Sequence, residues 1–117
     1  MTKVDKPWGS ELWWAQTDKY VGKILYIKKG YSLSLQHHEV KDETIMMLSG
    51  RMLLRIGSTL EEAFDCVPIE MVRGDVYHIT PGTIHKMIAL EDVEVLEVST
   101  PEVDDVVRHQ DDYGRVP

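Results

Sequence analysis

Gln36, His38, Glu43 and His85 are the residues of this chain whose types and spacing could assemble a chemical centre. On an extended strand residues two apart point to one face, so Gln36 and His38 converge on one side while His37 points away. Glu43 begins the next strand after a short connection and can face the same interior. His85 comes much later in the chain and must arrive on another strand. Two imidazoles, a carboxylate and an amide, with positions left for water or substrate, suit a divalent ion of the Mn, Fe, Co, Ni or Zn group rather than calcium. Cys66 is the only cysteine, which excludes an internal disulfide and a thiolate cluster made within one chain.

Such a centre needs strands from several parts of the chain, and the sequence supplies them. Short β-branched or aromatic runs, separated by glycine, proline or acidic turns, predict strands over 20–28, 32–38, 43–48, 51–56, 64–72, 76–79, 84–90 and 93–99. Glycines at Lys29-Gly30, Ser49-Gly50, Arg73-Gly74 and Pro81-Gly82 mark tight turns. Residues 57–63 read as a surface loop. After Ser99-Thr100-Pro101, the capping hydroxyl, the proline and the spacing of Val103, Val106 and Val107 predict a short C-terminal helix. The expected class is therefore all-β, a sandwich or barrel with its core over about 20–100.

Composition sets the outer bounds. A chain of 117 residues fits one domain, expected to span 1–117, and 43% apolar with 28% charged residues is ordinary for a soluble globular protein. No apolar run reaches bilayer length, and the opening Met1-Thr2-Lys3-Val4-Asp5-Lys6-Pro7 carries no secretory signal, so a cytoplasmic location is expected. Twenty acidic against thirteen basic residues give a formal charge of −7, with the basic residues scattered. Nucleic acid and membrane surfaces are therefore not expected partners. A small anionic substrate remains compatible, because one or two cations in a pocket suffice to bind it.

The two informative stretches resemble the two signature motifs of the cupin superfamily. Gly30, His38, Glu43 and Gly50 fit the first, and Gly74, Gly82 and His85 fit the second. Three positions depart: Gln36 replaces the first histidine, Thr80 replaces a proline, and Ala89 stands where an asparagine often closes the motif. A glutamine at the first ligand position is what phosphomannose isomerases use. Nearly the whole chain is similar to the C-terminal cupin domain of type II phosphomannose isomerases: Lys6-Pro7-Trp8-Gly9-Ser10, Leu33-Ser34-Leu35-Gln36-His37-His38, Leu96-Glu97-Val98 and Asp111-Asp112-Tyr113-Gly114-Arg115 all have counterparts there. The resemblance implies a double-stranded β-helix, or jelly-roll, barrel. It also implies a metal held by Gln36, His38, Glu43 and His85, and a homodimer formed through outer sheet surfaces. The nucleotidyltransferase activity of the domain that precedes this module in bifunctional members is not expected of these 117 residues.

An isomerase of this kind moves a proton between neighbouring carbons of a sugar or sugar phosphate, and that needs a titratable group inside the barrel. Lys23 shares a strand face with Leu25 and Ile27, and Glu97 shares one with Val93, Val95 and Ser99, so both are expected to be buried. They are the candidate catalytic pair; a structural ion pair across the barrel is the other reading. Ser32 and Ser34 lie on the Gln36 face and could bond sugar hydroxyls, whereas Met47 and Met87 predict an apolar wall. Trp8, Trp13 and Trp14 either stack on a sugar or pack at the barrel mouth or a dimer interface. His109 and Cys66 are read as inert, and His78 as either lining the barrel or exposed. Two further functions fit the same ligands: an iron-dependent dioxygenase, and a carbohydrate-binding or sensor protein without catalysis.

Overall fold

The computed structural model describes residues 1–114, so Arg115 of the closing motif lies outside the described residues. Among them are eleven strands, β1 (Thr2–Lys6), β2 (Gly9–Gln16), β3 (Val21–Ile27), β4 (Leu35–His37), β5 (Glu43–Ser49), β6 (Met52–Gly57), β7 (Ile69–Met71), β8 (Val76–Ile79), β9 (Ile84–Ala89), β10 (Val93–Ser99) and β11 (Val107–Gln110). They form a six-stranded antiparallel sheet, β1-β2-β3-β10-β5-β8, facing a five-stranded one, β11-β4-β9-β6-β7. From β3 to β6 and from β7 to β11 successive strands fall in alternate sheets, which is the winding expected of a jelly-roll barrel. No helix among the described residues is long and apolar enough to cross a membrane.

Alternation along the strands divides the interior in two. At one end Leu25, Ile27, Ile45, Met47, Met52, Leu54, Met87, Val93 and Val95 pack with Trp8 into one apolar cluster. Further along the same strands the buried positions become Lys23, Glu43, His85 and Glu97. All four predicted glycine turns carry positive φ, at Gly30, Gly50, Gly74 and Gly82. Gly22 is required for a different reason: the Trp14 indole lies on it, and a Cβ there would meet the ring at 2.6 Å.

The expected C-terminal helix is absent, and the one helix among the described residues, α1, spans Leu60–Asp65 where a loop and the start of a strand were expected. The physical reason lies in how the polar groups are committed. Thr100 accepts from the Asp42 backbone N–H at 3.0 Å instead of capping a helix. Residues 101–106 make short-range turn bonds such as Val106 N to Asp104 O at 3.0 Å, and the chain then pairs beside β4 as β11. At α1 the hydroxyl of Thr59 accepts from Glu62 N at 3.2 Å while the Glu62 carboxylate reaches back to Ser58 N at 2.8 Å, a capping arrangement that offsets the short length. Strands β1 and β2 lie outside the core expected over 20–100 and extend the six-stranded sheet through the pairing of β2 with β3.

Candidate metal centre

Three of the four expected ligands meet inside the polar end. One ligand atom from each of His38, Glu43 and His85 lies within 4.8 Å of the others, and all three side chains are buried. Nε2 of His38 is 3.1 Å and Nε2 of His85 is 3.3 Å from the same oxygen of Glu43, Oε1. The fourth residue, Gln36, is the cross-strand partner of His85 between β4 and β9 and lines the cavity beside His38. Its Oε1 accepts from the Ser34 hydroxyl at 2.5 Å. His37 points away, as alternation requires, and bonds His109 at 2.7 Å and Glu39 at 3.0 Å.

The backbone holds this cluster in place. His38 follows the end of β4, and its carbonyl accepts from the N–H of Gly82 at 2.7 Å, which ties it to the turn leading into β9. Nδ1 of His38 donates to the carbonyl of Asp105 at 2.6 Å, and Nδ1 of His85 donates to the carbonyl of Thr83 at 3.0 Å. A carbonyl only accepts, so both rings carry their hydrogen on Nδ1 and aim Nε2 at Glu43. Two imidazole lone pairs and a carboxylate oxygen around one point require a cation between them, a proton or a metal ion. Glu43 Oε2 is also buried with no hydrogen-bond partner. The donor set therefore fits a divalent transition metal, with imidazoles oriented by backbone carbonyls as metal-ligating histidines commonly are.

The Asp105 carboxylate fixes the connection from His38 to β5 by accepting from the backbone N–H groups of Glu39, Val40 and Lys41 at 3.0, 2.7 and 2.9 Å. These bonds, that of Lys41 foremost, hold its carboxyl at about 2, below its usual 3.8.

Around the cluster sits a charged lining. Lys41 Nζ is 3.5 Å from Glu43 Oε2 and 3.5 Å from Glu97 Oε2. Burial works against the Lys41 charge, but Glu97 and Glu43 outweigh it and raise its pKa. Burial likewise opposes ionisation of Glu43, yet the close contacts of its carboxylate with Nε2 of His38 and of His85, with Lys41 nearby, hold it well below the ordinary value. Glu97 goes the other way: burial, then the adjacent Glu43 charge, push it up to about 8. Lys23 faces Glu97 in the register of β3 and β10, but its close partner is Glu11 at 3.6 Å, and its Nζ lies 4.1 Å from the centre of the Trp13 ring. A cavity of about 170 Å³ opens over Gln36, His38, Lys23, Lys41, Glu97 and Arg108.

Other expectations sort quickly. Ser34 lines the cavity, whereas the Ser32 hydroxyl is committed to Asp112 at 2.8 Å. Trp13 and Trp8 line the cavity, Trp8 from within the buried core, and Trp14 is exposed on the outer face. Met47 and Met87 are core residues. His78 is exposed and bonds Asp42 at 2.6 Å. Lys41, Glu11, Asp105 and Arg108 were not singled out by sequence. Lys41 and Asp105 sit in connections, where alternation says nothing. Glu11 does alternate with Gly9 and Trp13, a signal available had β2 been read as a strand.

Comparison with known proteins agrees with this picture. Residues 1–111 match the family described as mannose-6-phosphate isomerase, C-terminal. A mannose-1-phosphate guanylyltransferase of Escherichia coli (strain K12) is 31% identical over 115 residues, covering 97% of this chain and 23% of that protein. The chain thus spans about a quarter of the length of the curated relatives it matches. Among solved structures, KdgF from Halomonas sp. superposes with a TM-score of 0.73 at 19% identity, covering 89% of this chain and 91% of that one. An RmlC-like cupin from Shewanella frigidimarina gives 0.72 at 12% identity, covering 88% and 86%.

Proposed function

Because the chain belongs to the family of mannose-6-phosphate isomerase C-terminal domains and has the cupin fold, we propose that it is a metal-dependent isomerase or epimerase of a small sugar or sugar phosphate. Gln36, His38, Glu43 and His85 would hold a divalent transition metal ion (Zn, Mn, Fe, Co or Ni). The observation that carries this reading is the pair of Nδ1-anchored imidazoles aimed at one oxygen of Glu43. The bound ion would supply Lewis-acid polarisation of a substrate oxygen, acidifying the adjacent C–H bond.

The remaining work falls to the protein's own groups. Glu97 lines the cavity, is buried, and has an oxygen, Oε2, with no hydrogen-bond partner. As its carboxylate it takes a proton from the hydroxyl-bearing carbon next to a substrate carbonyl while the carbonyl oxygen gains one, giving an enediol; as the resulting acid it returns its proton to the former carbonyl carbon while the neighbouring hydroxyl gives up its own, so that carbonyl and hydroxyl exchange places. Lys41 keeps the carboxylate form accessible from 3.5 Å. Lys23 is the second candidate catalytic group; its placement against Glu11 and over Trp13 supports positioning a substrate hydroxyl rather than moving a proton. The reading includes a homodimer, supported by the row Leu12, Ile24, Leu96 and Met46 that cross-strand pairing sets on the outer face of the six-stranded sheet. Sedimentation as a monomer at micromolar concentration would remove that part.

Solvent deuterium exchange tests the reaction. Metal-loaded protein should introduce deuterium next to the carbonyl of a matching aldose or ketose, or of its phosphate, without consuming oxygen, and Glu97→Gln should abolish the exchange. Oxygen uptake dependent on ferrous iron would instead identify a dioxygenase. Binding without exchange across the panel would identify a carbohydrate-binding protein.

A further inference from the structure

Lys23 has two carboxylates to choose between. In the register of β3 and β10 it stands directly opposite Glu97, and directly opposed side chains on one sheet face have Cβ atoms about 4.5–5.5 Å apart. On its other side the directly opposed residue of β2 is Trp13, while Glu11 faces Leu25 and so lies on the diagonal, where Cβ atoms are about 7–8 Å apart. Register alone favours a pair with Glu97. Among the described residues, however, Lys23 makes its ion pair with Glu11, at 3.6 Å, and Glu97 is paired instead by Lys41.

Glu11 and Trp13 build the cradle that reverses the choice. Oε1 of Glu11 accepts from Nε1 of Trp13 at 3.0 Å, and the same oxygen faces Lys23. That bond fixes the edge of the indole, and the ammonium lies over the ring, 4.1 Å from its centre. A carboxylate and a ring face together hold a cation better than either alone. Glu11 and Lys23 are both buried, so the ammonium cannot simply turn to water. Without the charge of Glu11 it would be a buried, unpaired ion, which is costly unless another carboxylate is in reach. The directly opposed one is Glu97.

The consequence falls on Glu97. Its Oε2 has no hydrogen-bond partner, and the cation beside it, Lys41 at 3.5 Å, is shared with Glu43. A second ammonium on this carboxylate would occupy the lone pairs with which it accepts a proton.

We infer that Glu11 is a positioning residue: it draws Lys23 onto Trp13 and thereby leaves the Glu97 carboxyl free to act on a ligand in the cavity. The placement of the lysine stands on geometry alone; its effect on turnover rests on the isomerase reading.

Glu11→Gln tests this in the full chain, because the amide keeps an acceptor for Trp13 and removes the charge. Its crystal structure should show Nζ of Lys23 within ion-pair distance of Glu97. In metal-loaded protein kcat for deuterium exchange should fall about 10- to 100-fold while KM stays within about twofold of the parent. In a Lys23→Met background the same change should cost nothing further, since no lysine is left to move. That double variant leaves no charge of the pair unmatched, so it serves even where Glu11→Gln alone folds poorly. Lys23 still seated on Trp13 in Glu11→Gln protein, or losses that multiply in the double variant, would each overturn the assignment. The two readings fail separately. A parent without exchange removes the isomerase and leaves the crystal structure to decide where the lysine goes. An active parent whose Lys23 stays in place in Glu11→Gln retains the reaction and removes the role of Glu11.

Discussion

The two ends of the barrel interior are made by the same strands and obey the same alternation, yet they do opposite work. On β10, Val93 and Val95 close the apolar end, and Glu97 opens the polar one; on β3, Ile27 and Leu25 give way to Lys23; on β9, Ala89 and Met87 give way to His85. At the apolar end burial of hydrocarbon drives folding. At the polar end the same geometry brings charges together out of water, where each must be matched or is costly. The difference shows that alternation says only that a side chain is inside, and residue type says whether that inside is core or site.

The sharpest way to break this division is to weaken the apolar end alone. Leu54→Ala should cost about 2–5 kcal/mol, as truncation of a fully buried leucine does, and leave metal stoichiometry intact in the protein that remains folded. Urea unfolding with metal analysis checks both. Metal loss at constant fold would mean the two ends are one cooperative unit.

At the polar end the cost of burying charge should show in pH dependence. Glu97 holds its proton up to about 8 in the folded chain against an ordinary 4.5. A group raised in this way stabilises fully below its unfolded value, and that contribution is lost as pH rises through the folded one. Metal-free protein should therefore lose stability between about pH 4.5 and 8, and Glu97→Gln should flatten that slope. Thermal unfolding across the range decides it; equal slopes in both proteins would place the Glu97 carboxyl in contact with water.

A smaller effect is expected where the C-terminal segment braces the site. Asp105→Asn weakens the acceptor for three backbone N–H groups beside His38, and metal affinity should fall about 10- to 100-fold while the barrel stays folded. Asp105 titrates near 2 rather than 3.8, so its contribution to stability is present above about 3.8 and is lost as pH falls towards 2. The variant should unfold less steeply in acid over that window, which circular dichroism can follow.

The sequence made the site's centre legible because strand period and motif spacing act together there. Gln36 and His38 on one face, Glu43 opening β5 and His85 on β9 lie as expected, and the turn glycines have the predicted positive φ. What stayed hidden depends on contacts distant in sequence. Val103 and Val106 have helical spacing, but they wall the cavity from turns because Asp105 and Thr100 direct their polar groups to residues 38–42. Arg108 follows the valines whose spacing suggested a helix, and nothing in the sequence placed it beside Gln36; only the pairing of β11 with β4 puts it there. Lys23 was rightly expected inside, but its partner Glu11 comes from β2, a strand the pattern did not reveal.

The central claim, a divalent metal held by Gln36, His38, Glu43 and His85, is tested most directly by metal analysis of protein purified without chelators, repeated on Gln36→Ala, His38→Ala and His85→Ala. The account predicts one transition metal ion per chain in the parent, near-complete loss in both histidine variants and reduced occupancy in Gln36→Ala, all with the fold retained. Full occupancy in His38→Ala and His85→Ala would contradict it.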